Sequence, residues 1–287
     1  MDFNDTPEEA EFRAEARAWL RANADLVSPD DDDDGDLLGE KLSPEIVTQC
    51  KEWQKKKADA GWACLTWPKD FGGRGATAIE NVIWKQEESK VKTPPEIYGI
   101  GLGMCGPTIM THGTEEQKKR WIPDMMVGQK IWCQLFSEPG AGSDLAGLRS
   151  SAVRDGDDWI VNGSKTFISS GINSDLVVVV ARTDPEAGHK GFTLLVVERD
   201  MPGFTRGRKL EKMGLHAQDT SELHFENVRV PGANVLGKEG RGFYHLMQNL
   251  PSERLSIAIS AIAGARETWR QTVQYAKDRK AFGQPIG

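Results

Sequence analysis

The hydrophobic period of this 287-residue sequence changes twice. As far as residue 130, apolar residues recur every three or four positions, as they do along one face of a helix. From Ile131 they come in short, β-branched runs bounded by tight turns, and after Gly242 the helical period returns. The two periods place side chains on incompatible faces, so the order helix, sheet, helix is imposed on any fold. The expectation is an α+β multidomain chain. An all-α domain covers residues 1–130, an antiparallel β-barrel or sandwich covers 131–238, and the start of a C-terminal helical bundle covers 239–287.

Local signals place the elements. Thr6-Pro7-Glu8-Glu9 opens a helix whose buried face is Phe12, Ala16, Trp19 and Leu20, and Ser28-Pro29 closes it. The acidic stretch from Asp30 to Asp36 fits the first half of a calcium loop, but Lys41 stands where a bidentate Glu is required. It is read as a solvated loop. A second helix runs from Ser43-Pro44 to Gly61, a third from Ala78 to Val91, and Thr114 to Gln117 form a capping box for a helix stopped by Pro123. Gly101 to Gly106 spells GxGxxG with no β-branched strand before it, so Tyr98 to Met110 is read as a closely packed helix and not a dinucleotide site.

In the β region, Asp155-Gly156 and Asn162-Gly163 are read as hairpin turns flanking Trp159 to Val161. Leu176–Val180, Phe192–Val197 and the alternation Leu223, Phe225, Val228, Val230 supply further strands. The last helix carries Leu255, Ile259, Ile262, Trp269, Val273 and Ala276 on one face and Ala258, Ala261 and Ala265 on another. A helix with two such faces belongs inside a bundle. With the sequence ending at Gly287, that bundle is finished by residues absent here, by a partner chain, or not at all.

The stretch Gln134-Leu135-Phe136-Ser137-Glu138-Pro139-Gly140-Ala141-Gly142-Ser143-Asp144 runs from a strand into a turn whose backbone N–H groups lie outside any regular ladder. Its glycines permit close approach of a flat or phosphorylated ligand, and Ser137 and Ser143 add hydroxyls. Downstream stand Asn162-Gly163-Ser164-Lys165-Thr166-Phe167-Ile168-Ser169, Met213-Gly214-Leu215, Val228-Arg229-Val230-Pro231, Leu250-Pro251-Ser252-Glu253-Arg254 and Asp278-Arg279-Lys280-Ala281-Phe282-Gly283. In this order and spacing the blocks resemble those of the acyl-CoA dehydrogenases, over nearly the whole chain.

That resemblance implies FAD as cofactor and α,β-dehydrogenation of an acyl-CoA thioester, in which a carboxylate takes the α-proton and flavin N5 accepts the β-hydride. It places Gln134, Leu135, Phe136, Ser137, Gly142, Ser143, Phe167, Ile168 and Ser169 at the flavin, with Phe and Ser standing where the family usually has Trp and Thr. Ser143 and Arg254 meet the substrate, and Arg279 and Lys280 reach FAD phosphates of a neighbouring subunit. Glu253 is the implied base, since Leu250-Pro251-Ser252-Glu253-Arg254 is similar to the long-chain and isovaleryl subset. The alternatives are that Glu253 pairs with a nearby cation, while the base comes from a later helix. Further implied are an electron-transfer flavoprotein-like acceptor and a homo-oligomer, dimer or tetramer. An acyl-CoA oxidase-like relative and a non-catalytic binding or assembly subunit stay open as other readings.

Composition excludes some classes. The net charge of −7 argues against a nucleic-acid protein. No apolar run approaches the ~20 residues of a membrane span, and no secretory signal is visible. The four scattered cysteines, Cys50, Cys64, Cys105 and Cys133, read as reduced core thiols of a cytoplasmic protein, and no His has metal-ligand or triad spacing.

Overall fold

The computed structural model describes residues 4–27 and 42–287, so the Ser28-Pro29 helix stop and the acidic stretch 30–36 lie outside the described residues. Two compact units are present, Met1–Phe243 and Tyr244–Gly287.

The first unit begins with helices α1 (Pro7–Asn23), α2 (Pro44–Asp59), α3 (Ala78–Glu88), α4 (Gly106–His112) and α5 (Glu115–Met126). Thr6, Ser43, Thr77 and Thr114 each accept a backbone N–H three residues on, and the three threonines complete reciprocal capping boxes with Glu9, Glu80 and Gln117. Each cap contributes about 1 kcal/mol. Phe12, Ala16 and Leu20 of α1 pack with Trp62, Leu65, Ile83 and Trp84. Trp62 and Trp84 stack at 4.7 Å between centroids, and the Arg74 guanidinium lies 4.3 Å above Trp62.

One helix expectation is corrected and another refined. Pro123 does not stop α5, which continues to Met126. A proline forfeits its own N–H bond and crowds the carbonyl four residues back, but it can be carried near a helix end, where its carbonyl still accepts from Val127 N at 3.2 Å. The segment expected as a helix over 98–110 is helical, but Gly101–Cys105 forms a π turn that leads into α4. Gly101 and Gly106 do allow close approach, though to tryptophans: a Cβ at Gly106 would lie 2.4 Å from the Trp67 ring, while Gly103 has open space around it.

The strands are β1 (Trp132–Leu135), β2 (Ser151–Asp155), β3 (Asp158–Ser169), β4 (Leu176–Arg182), β5 (Phe192–Glu198), β6 (Phe204–Lys209), β7 (Thr220–Pro231) and β8 (Val235–Leu236). They form one sheet in the order β6-β7-β3-β2-β4-β5-β8, with β1 attached to β4. β4 and β5 are buried along nearly their whole length, which is why both read as unbroken apolar runs. β7 alternates, turning Leu223, Phe225, Val228 and Val230 into the core.

Pairing is antiparallel except at β4, which runs parallel to β1 and to β2. Parallel neighbours need a long crossover, and residues 136–175 supply one between β1 and β4. Asn162-Gly163 is not a hairpin turn: β3 passes through it, with a bulge between Val161 and Gly163. Gly163 sits at φ 147°, and a Cβ there would fall 2.3 Å from Ser150 Oγ. Close backbone approach, not a chain reversal, is what requires glycine there. The Asp155-Gly156 turn does join β2 to β3.

α5 is fastened to the sheet region. Gln117 Nε2 donates to the carbonyls of Ala233 and Val235, both at 2.8 Å, and Arg120 pairs with Glu198 at 2.5 Å.

The second unit is the remainder of helix α6 (Gly242–Asp278) and a hairpin of β9 (Lys280–Ala281) and β10 (Gln284–Pro285). α6 runs through Pro251 without interruption. The hairpin turn, Phe282-Gly283, has both φ angles positive, 55° and 82°. Leu255, Ile259, Ile262 and Trp269 are exposed. None of the described helices is long and apolar enough to cross a membrane. None of the four cysteines is in a disulfide, and Cys50, Cys105 and Cys133 are buried.

Candidate functional site

The loop after β1 is shaped by its own hydrogen bonds. Glu138 N donates to Ala141 O at 2.8 Å and Ala141 N to Glu138 O at 3.1 Å, folding Pro139-Gly140 into a tight turn. The Glu138 carboxylate faces inward and accepts from Arg149 N at 2.6 Å and Ser150 N at 2.9 Å. Its third donor is Lys165 Nζ at 2.8 Å, from the middle of β3. Lys165 Nζ also donates to Phe136 O at 3.1 Å, and Thr166 N donates to Ser137 O at 3.0 Å. Two stretches far apart in sequence, 134–143 and 167–169, are thereby brought side by side.

Lys165 is fully buried and Glu138 nearly so. Burial works to raise the Glu138 carboxyl, but the charge and hydrogen bond of Lys165, with those from Ser150 and Arg149, hold it below the usual carboxylate range. Burial pushes the Lys165 ammonium down against the opposing pull of Glu138.

Just past Lys165 the β3–β7 register slips, between Lys165 and Ile168. Phe167 takes φ 57° and leaves its ring 72% exposed, while Ile168 turns into the core. A left-handed conformation at a bulky aromatic costs about 1–2 kcal/mol, so the surroundings must impose it. Asp219 secures the other side of the bulge: its carbonyl accepts from Ser170 N at 2.8 Å and its carboxylate from Ile172 N at 2.7 Å and Asn173 Nδ2 at 2.8 Å.

The residues expected at a cofactor fall into three groups. Gly142, Ser143 and Phe167 are exposed; Gln134, Phe136, Ser137 and Ser169 are half-buried; Leu135 and Ile168 are core side chains of the sheet. Gln134 reaches back to the π turn, with Nε2 3.1 Å from Met104 Sδ. Around Gly140 and Gly142 the space is open, with no atom within 4 Å of a built Cβ. An exposed aromatic face, an open glycine edge and hydroxyls at Ser137, Ser143 and Ser169 together suit a flat ligand rich in nitrogen and oxygen.

The remaining expected residues belong to the second unit. Glu253 is half-buried on α6 and Arg254 exposed; Arg279 follows the helix end and Lys280 lies on β9, both exposed. Among the described residues no group of three or more His, Cys, Asp or Glu could hold a metal ion. Three residues that shape the site, Glu138, Lys165 and Asp219, had no role assigned from sequence. The available signal was a lysine on the same alternation as the inward-facing Trp159 and Val161 of β3, which demands a buried counter-charge.

Comparison with known proteins converges on one group. The profile of the acyl-CoA dehydrogenase N-terminal domain matches residues 6–129, that of the middle domain 133–228 and that of the C-terminal domain 240–287. A long-chain specific acyl-CoA dehydrogenase of Mus musculus mitochondria is 41% identical over 84% of the chain, and the chain spans only 59% of that relative's length. A short-chain specific acyl-CoA dehydrogenase of Clostridium acetobutylicum is 33% identical over the whole chain, which covers 73% of it. The crystal structure of an acyl-CoA dehydrogenase from Geobacillus kaustophilus superposes with a TM-score of 0.78 at 41% identity, over the whole chain and 73% of that structure.

Proposed function

The chain belongs to the acyl-CoA dehydrogenase family, and from that premise we propose that it serves an FAD-dependent enzyme converting an acyl-CoA thioester to its trans-2-enoyl-CoA. The observation that carries the reading is the junction of the Ser137 loop with the Phe167 bulge through the 3.0 Å bond from Thr166 N to Ser137 O. It makes one open shelf from the two segments expected to face the flavin. FAD, when bound, supplies the hydride acceptor at its N5.

On this reading each residue of the shelf has a task. Ser137, Gly142 and Ser143 hold the ring edge through backbone and hydroxyl groups, Phe167 covers a face, and Ser169 offers a hydroxyl. Leu135 and Ile168, with side chains in the core, contribute backbone only. Ser143 and Arg254 meet the CoA portion, and the guanidinium fork of Arg254 suits phosphate. Arg279 and Lys280 meet FAD phosphates across a homo-oligomer of two or four chains. Glu253 takes the α-proton from substrate. Electrons leave to an electron-transfer flavoprotein-like acceptor, and cysteines held as thiols agree with a reducing, cytoplasmic setting. The working domain plan is 1–130, 131–238 and 239–287.

The complete protein should purify with FAD that is released on denaturation. Glu253→Gln should keep flavin colour and acyl-CoA binding while slowing anaerobic flavin bleaching ~10²–10⁴-fold, as loss of a general base does. Bleaching at the wild-type rate would remove Glu253 from this role. A protein that neither holds FAD nor takes it up would overturn the whole reading, and fast reoxidation in air would replace the acceptor protein by oxygen.

A further inference from the structure

We propose that Glu138 and Lys165 are positioning residues whose buried ion pair fixes the cofactor shelf, holding the Ser137 loop and the Phe167 bulge in one geometry. The inference rests on the functional reading above and adds two residues to it.

As a stabilising element this pair is a poor choice. Both charges leave water, and their attraction must first offset that desolvation cost before it can add stability. What apolar side chains could not supply is direction. Through Glu138 and Lys165 three separate segments are tied together: Phe136 O before the turn, Arg149 N and Ser150 N leading into β2, and the middle of β3. Lys165 is also the last residue in register with β7 before the slip, and Ile168 the first after it. The strained Phe167 conformation is therefore suspended between one anchor at Lys165 and one at Asp219. Strain of this kind persists only where its surroundings over-determine it. Releasing Lys165 frees the loop and the bulge together, and FAD must then select a shelf that is seldom formed. Apparent affinity falls by the fraction of molecules that keep it formed.

The test uses the full chain with three variants, Glu138→Gln, Lys165→Met and the apolar double variant Glu138→Leu/Lys165→Met. FAD affinity is measured by fluorescence quenching, stability by thermal unfolding, and hydrogen exchange at the amides of Arg149, Ser150 and Thr166 in protein stripped of flavin. In each single variant the FAD dissociation constant should rise about tenfold or more and the three amides should exchange faster. The double variant removes the stranded charge but leaves the amides of Arg149 and Ser150 without their acceptor, so it should regain part of the lost thermal stability without regaining FAD affinity. That split separates positioning from a purely structural role, which would restore both together.

FAD affinity within about twofold of wild type in the double variant would overturn the proposal. If the single variants do not fold, the double variant alone decides. If the wild-type protein binds no FAD, the functional reading fails by itself. The exchange rates then still decide whether the pair holds the loop to the bulge: an unchanged rate at Thr166 N, which bonds to Ser137 O and to neither varied side chain, refutes it, and a faster rate there upholds it.

Discussion

Glu87 on α3 and Glu138 after β1 are both buried carboxylates, 2% and 8% exposed, yet they are kept ionised by opposite arrangements. Glu87 draws its partners from the surface: Arg17 at 2.9 Å, Arg13 at 3.1 Å and Lys90 at 2.7 Å, each with part of its side chain in solvent. Glu138 has Lys165, itself wholly buried, and two backbone amides. The first arrangement is redundant, since any one cation can leave and the others, or water, close in. The second has a single counter-charge and no access for a substitute. Equal burial therefore does not mean equal sensitivity; what decides is how many of the partners are themselves buried.

The largest expected effect follows from removing that single partner. Lys165→Met leaves Glu138 buried and uncompensated and should lower unfolding free energy by ~3–5 kcal/mol, read as a shift in urea midpoint at constant slope. A loss below about 1 kcal/mol would place water or another cation at Glu138 and dissolve the comparison.

An intermediate effect is expected at Glu87. The hydrogen bond from Arg17 leads, with those of Lys90 and Arg13 and against the cost of burial, in holding its carboxyl at about 2, from an ordinary 4.5. Because the folded value is the lower one, the stabilisation is complete above pH 4.5 and is lost as pH falls from there towards 2. Glu87→Gln should cost ~1–3 kcal/mol at pH 7 and flatten the decline in thermal midpoint across that window. An acid limb as steep as in wild type would assign the decline to other carboxylates.

Lys90→Ala should have the smallest effect, below about 1 kcal/mol, because Arg13 and Arg17 remain on Glu87. Thermal unfolding in low and high salt checks it, and a cost equal to that of Lys165→Met would end the argument from redundancy.

The sequence revealed the structure wherever the cause is local. Thr6 and Thr114 bond to backbone three residues away, so their helix starts are written in adjacent positions. The inward alternation of β7 was equally plain. Features set by distant neighbours were hidden. The Asn162-Gly163 bulge exists because Ser150 passes close by, and the parallel placement of β1 depends on β4. The candidate site shows the same division. Blocks 134–143 and 167–169 could be picked out by resemblance, but only the fold shows that Leu135 and Ile168 face the core and Phe167 faces out. Lys165 was visible as a residue and invisible as a fastening, because its partner lies 27 positions earlier.

The seating of β1 beside β4 bears on how the chain leaves the ribosome. The bond from Ile131 N to the Asp175 carboxylate, just ahead of the first parallel pair, spans 44 residues. At a synthesis rate of about 5–20 residues per second, that stretch takes roughly 2–9 s to emerge. The tryptophan-lined helical core can close during that interval, but Trp132, Cys133 and Leu135 are then an unpaired apolar edge at the tunnel mouth. Any pause in translation before β4 has left the tunnel lengthens that exposure, so slow codons there favour nascent-chain aggregation, whereas a pause after β4 has emerged finds the edge already covered.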